Sequence, residues 1–232
     1  MTLTLSHLGL RRGKTQVIAN ISLDIDQEIF GILGINGAGK TTFLECIANE
    51  HGYSGEITFD NLTFHAWTKL HKRRFSVIYD RPIVYDYLTV DEYVSFIVNI
   101  IGAEVSSEKR QKFYDGFGLD RYKNSLLRTL SFGNKRKSYM MPYLLAERHL
   151  MLLDEPTNGL DTQGRLFLEH VLKQLRRQGC TILVSSHDID FLTRLSDRIG
   201  ILAGGTLNRI VPKDEFLNIE QIYLDESGLE FK

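Results

Sequence analysis

The sequence predicts an α/β protein with a buried parallel sheet, an antiparallel β portion and an inserted helical segment. Three observations carry that prediction. A glycine-rich loop, Gly34-Ile35-Asn36-Gly37-Ala38-Gly39-Lys40-Thr41-Thr42, stands between an apolar run and a segment of helical character. Short continuous apolar runs at 75–79, 150–153 and 181–184 suit strands covered on both faces. Segments at 3–5, 21–25 and 55–59 instead alternate apolar and polar residues, as half-exposed antiparallel strands do.

Taken along the chain, residues 3–5 and 21–25 open the antiparallel portion and 29–33 form a buried strand. The helix after the glycine-rich loop is expected over 41–48, and the alternating strand at 55–59 follows. From 86 to 147 the pattern turns helical. Thr89 caps a helix from 90 to about 101, with Glu92 completing a capping box, and Ser106 or Ser107 caps another through 113. The core strands 150–153 and 181–184 come next. A hairpin follows, 199–202 and 207–211, turning at Gly204-Gly205. The 232 residues fit one domain, 1–232, with 86–147 as a helical subdomain inside it.

Composition narrows the function. A 43% hydrophobic content supplies a substantial core, and a formal net charge of −1 gives no broad basic field for nucleic acid. Cys46 and Cys180 form no motif and read as reduced core residues; alkylation at Cys46 would be incidental. The N-terminus lacks the pattern of a secretion signal, and no apolar run reaches the roughly 18 residues that span a bilayer. Any membrane role is therefore expected to pass through a partner.

The glycine-rich loop fits G-x-x-x-x-G-K-[ST], the pattern that cradles phosphate. Its glycines let the backbone curl, so successive N–H groups converge on an anion at a helix N-terminus. Residues Gly34, Ile35, Asn36, Gly37, Ala38, Gly39, Lys40, Thr41 and Thr42 are all candidates for nucleotide contact. Lys40 reaches the outer phosphates, and Thr41 offers a hydroxyl to Mg²⁺. The second feature is Leu150-Met151-Leu152-Leu153-Asp154-Glu155, an apolar strand delivering two acids where parallel sheets place ligands. Asp154 suits Mg²⁺ through its water shell, and Glu155 suits proton abstraction from an attacking water.

With these motifs in order, the chain resembles the ATP-binding subunits of ABC transporters, over nearly its whole length. Leu130-Ser131-Phe132-Gly133-Asn134-Lys135-Arg136-Lys137 resembles the family's signature. Asp154-Glu155-Pro156-Thr157-Asn158-Gly159-Leu160-Asp161 matches its Walker B motif running into the D-loop. Val184-Ser185-Ser186-His187-Asp188 matches its switch-histidine region. The resemblance implies an ATPase that uses ATP and Mg²⁺, and two such domains that pack head to tail as a homodimer or heterodimer. Ser131, Gly133 and Asn134 would then contact ATP in trans, His187 would hydrogen-bond the γ-phosphate, and Asp161 would couple the two sites. It also implies an integral membrane transporter subunit as partner and a peripheral location on the cytoplasmic face. A threonine-valine helix start and a short chain resemble exporter subunits. The alternatives are a soluble ABC ATPase of an assembly system and a nucleotide-binding regulator with weak turnover.

Departures from the family pattern carry their own expectations. Arg12 stands where an aromatic residue often stacks on adenine; it either stacks its guanidinium or is an exposed charge. Asp80 occupies the place of the usual loop glutamine, where it would reach Mg²⁺ through water. Phe132 replaces the first signature glycine and must point away from ATP or alter the interface. Pro142 is expected to kink the helix after the signature. Aromatic residues Tyr79, Tyr85 and Tyr87, with Pro82 and Leu88, crowd the connecting loop as a contact for the membrane subunit, whereas Phe96 is expected to pack inside the helical segment.

Overall fold

The computed structural model describes residues 1–80 and 85–227. Its centre is a six-stranded sheet in the order β10-β9-β3-β8-β7-β6. Five of these strands run parallel: β3 (Ile29–Leu33), β6 (Phe75–Ile78), β7 (Leu150–Asp154), β8 (Thr181–Ser186) and β9 (Arg198–Ala203). β10 (Thr206–Pro212) closes one edge as the antiparallel arm of the expected hairpin. A second, four-stranded antiparallel sheet orders β2 (Thr15–Ile25), β1 (Leu3–Arg12), β4 (Ser54–Phe59) and β5 (Leu62–Thr63).

The apolar runs work as two-faced strands. Side chains alternate across a sheet, so Leu150 and Leu152 enter one core while Met151 and Leu153 enter the other. The first core lies between the two sheets and takes in Phe43, Leu44 and Ile47 of α1 (Lys40–Ile47). The second packs the opposite face against α3 (Val90–Ile100), α4 (Ser107–Phe117), α5 (Phe132–Leu145), α6 (Thr162–Arg177) and α7 (Ile189–Leu195). α2 (Phe64–Leu70) and α8 (Ile219–Ser227) complete the described helices.

Local signals set the helix ends. Thr89 and Glu92 form the expected capping box on α3. Ser106, not Ser107, caps α4, which continues past residue 113 until Gly118 turns left-handed at φ 66°. β1 and β2 run longer than their alternating segments because register shifts interrupt the alternation: Leu8, Gly9 and Leu10 are consecutive buried residues. α5 runs through buried Pro142 to Leu145, so core packing carries the helix across the missing N–H.

Candidate functional site

The carboxyl end of the parallel sheet holds a cavity of about 450 Å³. β3 delivers the phosphate loop into it, and α1 begins at Lys40 directly after Gly39, whose φ of 102° suits glycine. Asn36, Gly37, Gly39, Lys40, Thr41 and Thr42 line the cavity; Gly34, Ile35 and Ala38 complete the turn behind it. Lys40 Nζ donates to the carbonyls of Gly34 (2.7 Å) and Ile35 (3.2 Å). It also lies 3.1 Å from Glu155 Oε1, a charge contact rather than a well-aligned hydrogen bond.

β7 and β8 bring the acids to the same cavity. Asp154 is buried at the end of β7, where its two oxygens accept from Thr41 Oγ1 (2.7 Å) and Ser185 Oγ (2.5 Å). Burial nevertheless holds its carboxyl above the usual range, against the lowering effect of those hydroxyls. The next residue, Glu155, turns left-handed at φ 44°. Its Oε2 lies 2.9 Å from His187 Nδ1 and accepts from Ser186 Oγ (3.3 Å) and the His187 N–H (3.4 Å). Asp188 caps α7 just beyond. Burial opposes its charge, but the Phe191 amide and Arg165 together hold its carboxyl below the ordinary value.

Asp80 lines the cavity from the connecting loop. Its Oδ1 accepts from Asn158 Nδ2 (2.9 Å) and stands 3.6 Å from the Arg136 guanidinium. Arg136 and Asn158 belong to this site, yet neither has a role that can be read from the sequence. Asn158 passes as one residue of a loop run. A single arginine inside a helix normally reads as solvated, and nothing local announces that Arg136 is fully buried.

The signature residues lie elsewhere. Ser131 and Asn134 line a separate cavity of about 580 Å³ that also takes in Lys137 and Asp161. Ser131 Oγ accepts from the Asn134 N–H (3.3 Å) as the cap of α5, which leaves its own O–H free to donate. Asp161 caps α6 through the Gly164 N–H (2.8 Å) and pairs with Lys137 (2.7 Å). A Cβ at Gly133 would stand 2.3 Å from the Gly159 carbonyl oxygen, so this approach admits only glycine. Phe132 is 62% exposed and sets its ring beside Gly159.

Arg12, Tyr79 and Tyr85 stand outside the lining of the phosphate-loop cavity. Arg12 does not line the phosphate-loop cavity, where Val17 stands instead; its guanidinium lies 2.9 Å from His51 Nε2 and 3.5 Å from Glu45. Tyr79 spends its hydroxyl on Glu50, and burial with that bond raises its pKa. Tyr85 is 52% exposed and meets Phe96 edge-to-face at 5.3 Å. Phe96 is itself 40% exposed, so the expectation that it packs inside the helical part is corrected: α3 turns it outward beside Tyr85. Pro82 lies outside the described residues. Cys46 and Cys180 are free and buried, as expected of core residues, and burial pushes their thiols up to about 11 and about 12.

Fold and site together define a phosphate-loop nucleotide-binding ATPase domain. The family model for ABC transporters matches residues 18–158, more than half of the chain. The chain is 27% identical over 222 residues to the putative ABC transporter ATP-binding protein AlbC of Bacillus subtilis, covering 92% of each. It is 26% identical over 223 residues to the lantibiotic transport ATP-binding protein SrtF of Streptococcus pyogenes, covering 95% of each. Among solved structures, the dimeric bacterial ABC transporter cassette MJ0796 superposes with a TM-score of 0.79 at 23% identity, covering 91% of this chain and 98% of that one. The chain belongs to the ABC transporter family, as an ATP-binding subunit that hydrolyses ATP.

Proposed function

We propose that this ATPase works as one of a pair on the cytoplasmic face of a membrane, where it drives an integral membrane exporter subunit. The observation that carries the reading is the division of the molecule into two half-sites. Lys40, Thr41, Asp154, Glu155 and His187 surround one cavity, while Ser131, Asn134 and Asp161 gather at another. A second ATPase subunit, identical or not, unites the halves: the signature of one copy faces the phosphate loop of the other. Ser131 then donates its hydroxyl to the γ-phosphate in trans, and the N–H groups opening α5 at Gly133 and Asn134 add their dipole.

Within one copy, the loop N–H groups and Lys40 bind the outer phosphates. Glu155 accepts the proton of the attacking water, oriented by His187, Ser186 and a main-chain amide. His187 then senses the γ-phosphate, and Asp161 couples the paired sites. The donor set fits Mg²⁺. Thr41 and Asp154 present hard oxygens 2.7 Å apart, and among the described residues three carboxylates, Asp80, Asp154 and Glu155, line a cavity that holds one lysine. Thr41 and Asp154 would hold the ion, with Asp80 reaching it through water; when bound, it neutralises charge on the phosphate oxygens.

Support for the membrane partner is the exposed Tyr85–Phe96 pair at the foot of the connecting loop, with Tyr87 80% exposed beside it. No helix among the described residues is long and apolar enough to cross a membrane. SrtF, a lantibiotic transport protein matched nearly end to end, supports export of a peptide-like cargo. Tyr85→Asp tests the docking surface. It introduces a charge into the apolar contact, so co-purification with the membrane subunit should fall while ATP affinity stays unchanged. Full recovery of the active parent with a soluble partner would overturn the reading.

A further inference from the structure

We propose that Arg136 is a positioning residue for hydrolysis: its guanidinium locks the backbone that carries Glu155 to the backbone that carries Asp80, so that both move with the signature helix. The inference rests on the reading of Glu155 as the base. Arg136 lies one and a half turns into α5, five residues after Ser131, and is fully buried. Its Nη1 donates to the carbonyls of Tyr79 (2.9 Å) and Asp80. Its Nη2 donates to the carbonyls of Asp154 (3.1 Å) and Glu155 (2.9 Å). One planar group thus bonds the start of the connecting loop on one nitrogen and the end of β7 on the other.

A buried guanidinium is expensive to desolvate, and burial lowers its pKa; Asp80, 3.6 Å away, is the first of the acids that offset this. Asp80 is held in turn by Asn158 (2.9 Å), on the loop that follows Glu155. The backbone itself needs such a clamp. Glu155 is a non-glycine residue at φ 44°, a conformation that persists only when its surroundings over-determine it. The two guanidinium bonds to the carbonyls of the peptides on either side of the Glu155 Cα supply that constraint. Lysine carries one nitrogen on a flexible stem and cannot hold both carbonyl pairs in one plane.

The consequence is mechanical. Ser131 caps the helix that contains Arg136, so engagement of the signature is passed to Glu155 through a rigid segment of five residues and one side chain. Tyr79 and Asp80, at the start of the connecting loop, are tied to the same guanidinium through Nη1. The aspartate in place of the usual loop glutamine gains a reason here: it is the counter-charge of this arginine.

The test uses the full chain, with Arg136→Lys and Arg136→Ala measured beside the parent and Glu155→Gln for steady-state turnover, ATP affinity and thermal melting. A displaced base lowers kcat by about 10²-fold in both arginine variants while KM for ATP changes by less than about threefold. Methylguanidinium at tens of millimolar should restore part of the turnover of Arg136→Ala and leave Arg136→Lys unchanged, because the lysine fills the space. A merely structural arginine would predict lower melting temperature and turnover in step, with no rescue, and that result overturns the proposal. So does parent-like kcat in Arg136→Lys, which decides the matter alone if Arg136→Ala does not fold. Turnover retained in Glu155→Gln would instead remove the base from its role, a failure distinct from that of Arg136.

Discussion

Nδ1 of His187 lies 2.9 Å from Oε2 of Glu155, across the gap between the ends of β8 and β7. The residues are 32 apart in sequence and directly follow neighbouring parallel strands, so the pairing is made by the sheet and not by a local turn. A base needs both a partner to aim it and a route to its proton. Here Ser186 and the His187 amide share the same oxygen, while the other oxygen faces Lys40.

Asp154 trades stability for function. Burial raises its carboxyl above the usual range, so the folded chain binds that proton more tightly than the unfolded chain does. That contribution is full below the unfolded value and is lost as pH rises through the folded one. Asp154→Asn cannot ionise, and its stability relative to the parent should rise as pH climbs from about 4 to about 7. Urea midpoints over that range check it; a constant difference between the two proteins would contradict the burial argument. The same variant should lose Mg²⁺-dependent turnover.

At Asp80 the Mg²⁺ titration is decisive. Asp80→Ala should raise the Mg²⁺ needed for half-maximal turnover, since it removes an acid from the cavity wall. Asp80→Gln lowers negative charge beside the phosphates and retains a carbonyl for Asn158, but it strips buried Arg136 of its counter-charge, so its melting temperature should fall and its turnover should not exceed the parent's. Unaltered titrations in both variants would place Asp80 away from the metal.

Phe132 and Gly159 should be energetically coupled. A Cβ at Gly159 would stand 2.4 Å from the Phe132 ring, and the residue sits at φ 74°. Gly159→Ala therefore costs about 1–2 kcal/mol from the backbone alone, with the clash added. Phe132→Ala, at an exposed position, should cost within about 0.5 kcal/mol. The double variant should recover at least about 0.5 kcal/mol of the clash in denaturant melts. Strictly additive costs would mean that the ring yields freely.

Much of the fold was legible because it is periodic or locally capped. The two-faced runs 150–153 and 181–184, the hairpin at Gly204-Gly205 and the Thr89–Glu92 box are all found where their patterns point. Where the pattern is interrupted, legibility fails: bulges in β1 hide its length, and α4 outlasts its apolar residues until Gly118. The phosphate loop and Asp154-Glu155 stood out because their chemistry is bound to a spacing. Arg136 did not, because its worth lies in main-chain carbonyls from residues 56 and 57 positions upstream and 18 and 19 downstream, and no carbonyl shows in a sequence. Arg12 is a further case: its neighbours His51 and Glu45 lie 39 and 33 residues away, so no local pattern announces them.

The most direct measurement of the central claim is ATP turnover by Glu155→Gln, run beside equilibrium ATP binding by the same protein, with Lys40→Ala as contrast. Turnover should fall by about 10²–10⁴-fold in Glu155→Gln while ATP still binds, because the carboxamide keeps the shape but accepts no proton. Lys40→Ala should lose binding itself, since Lys40 is the one lysine lining the cavity among the described residues. Parent-rate hydrolysis by Glu155→Gln would contradict the account.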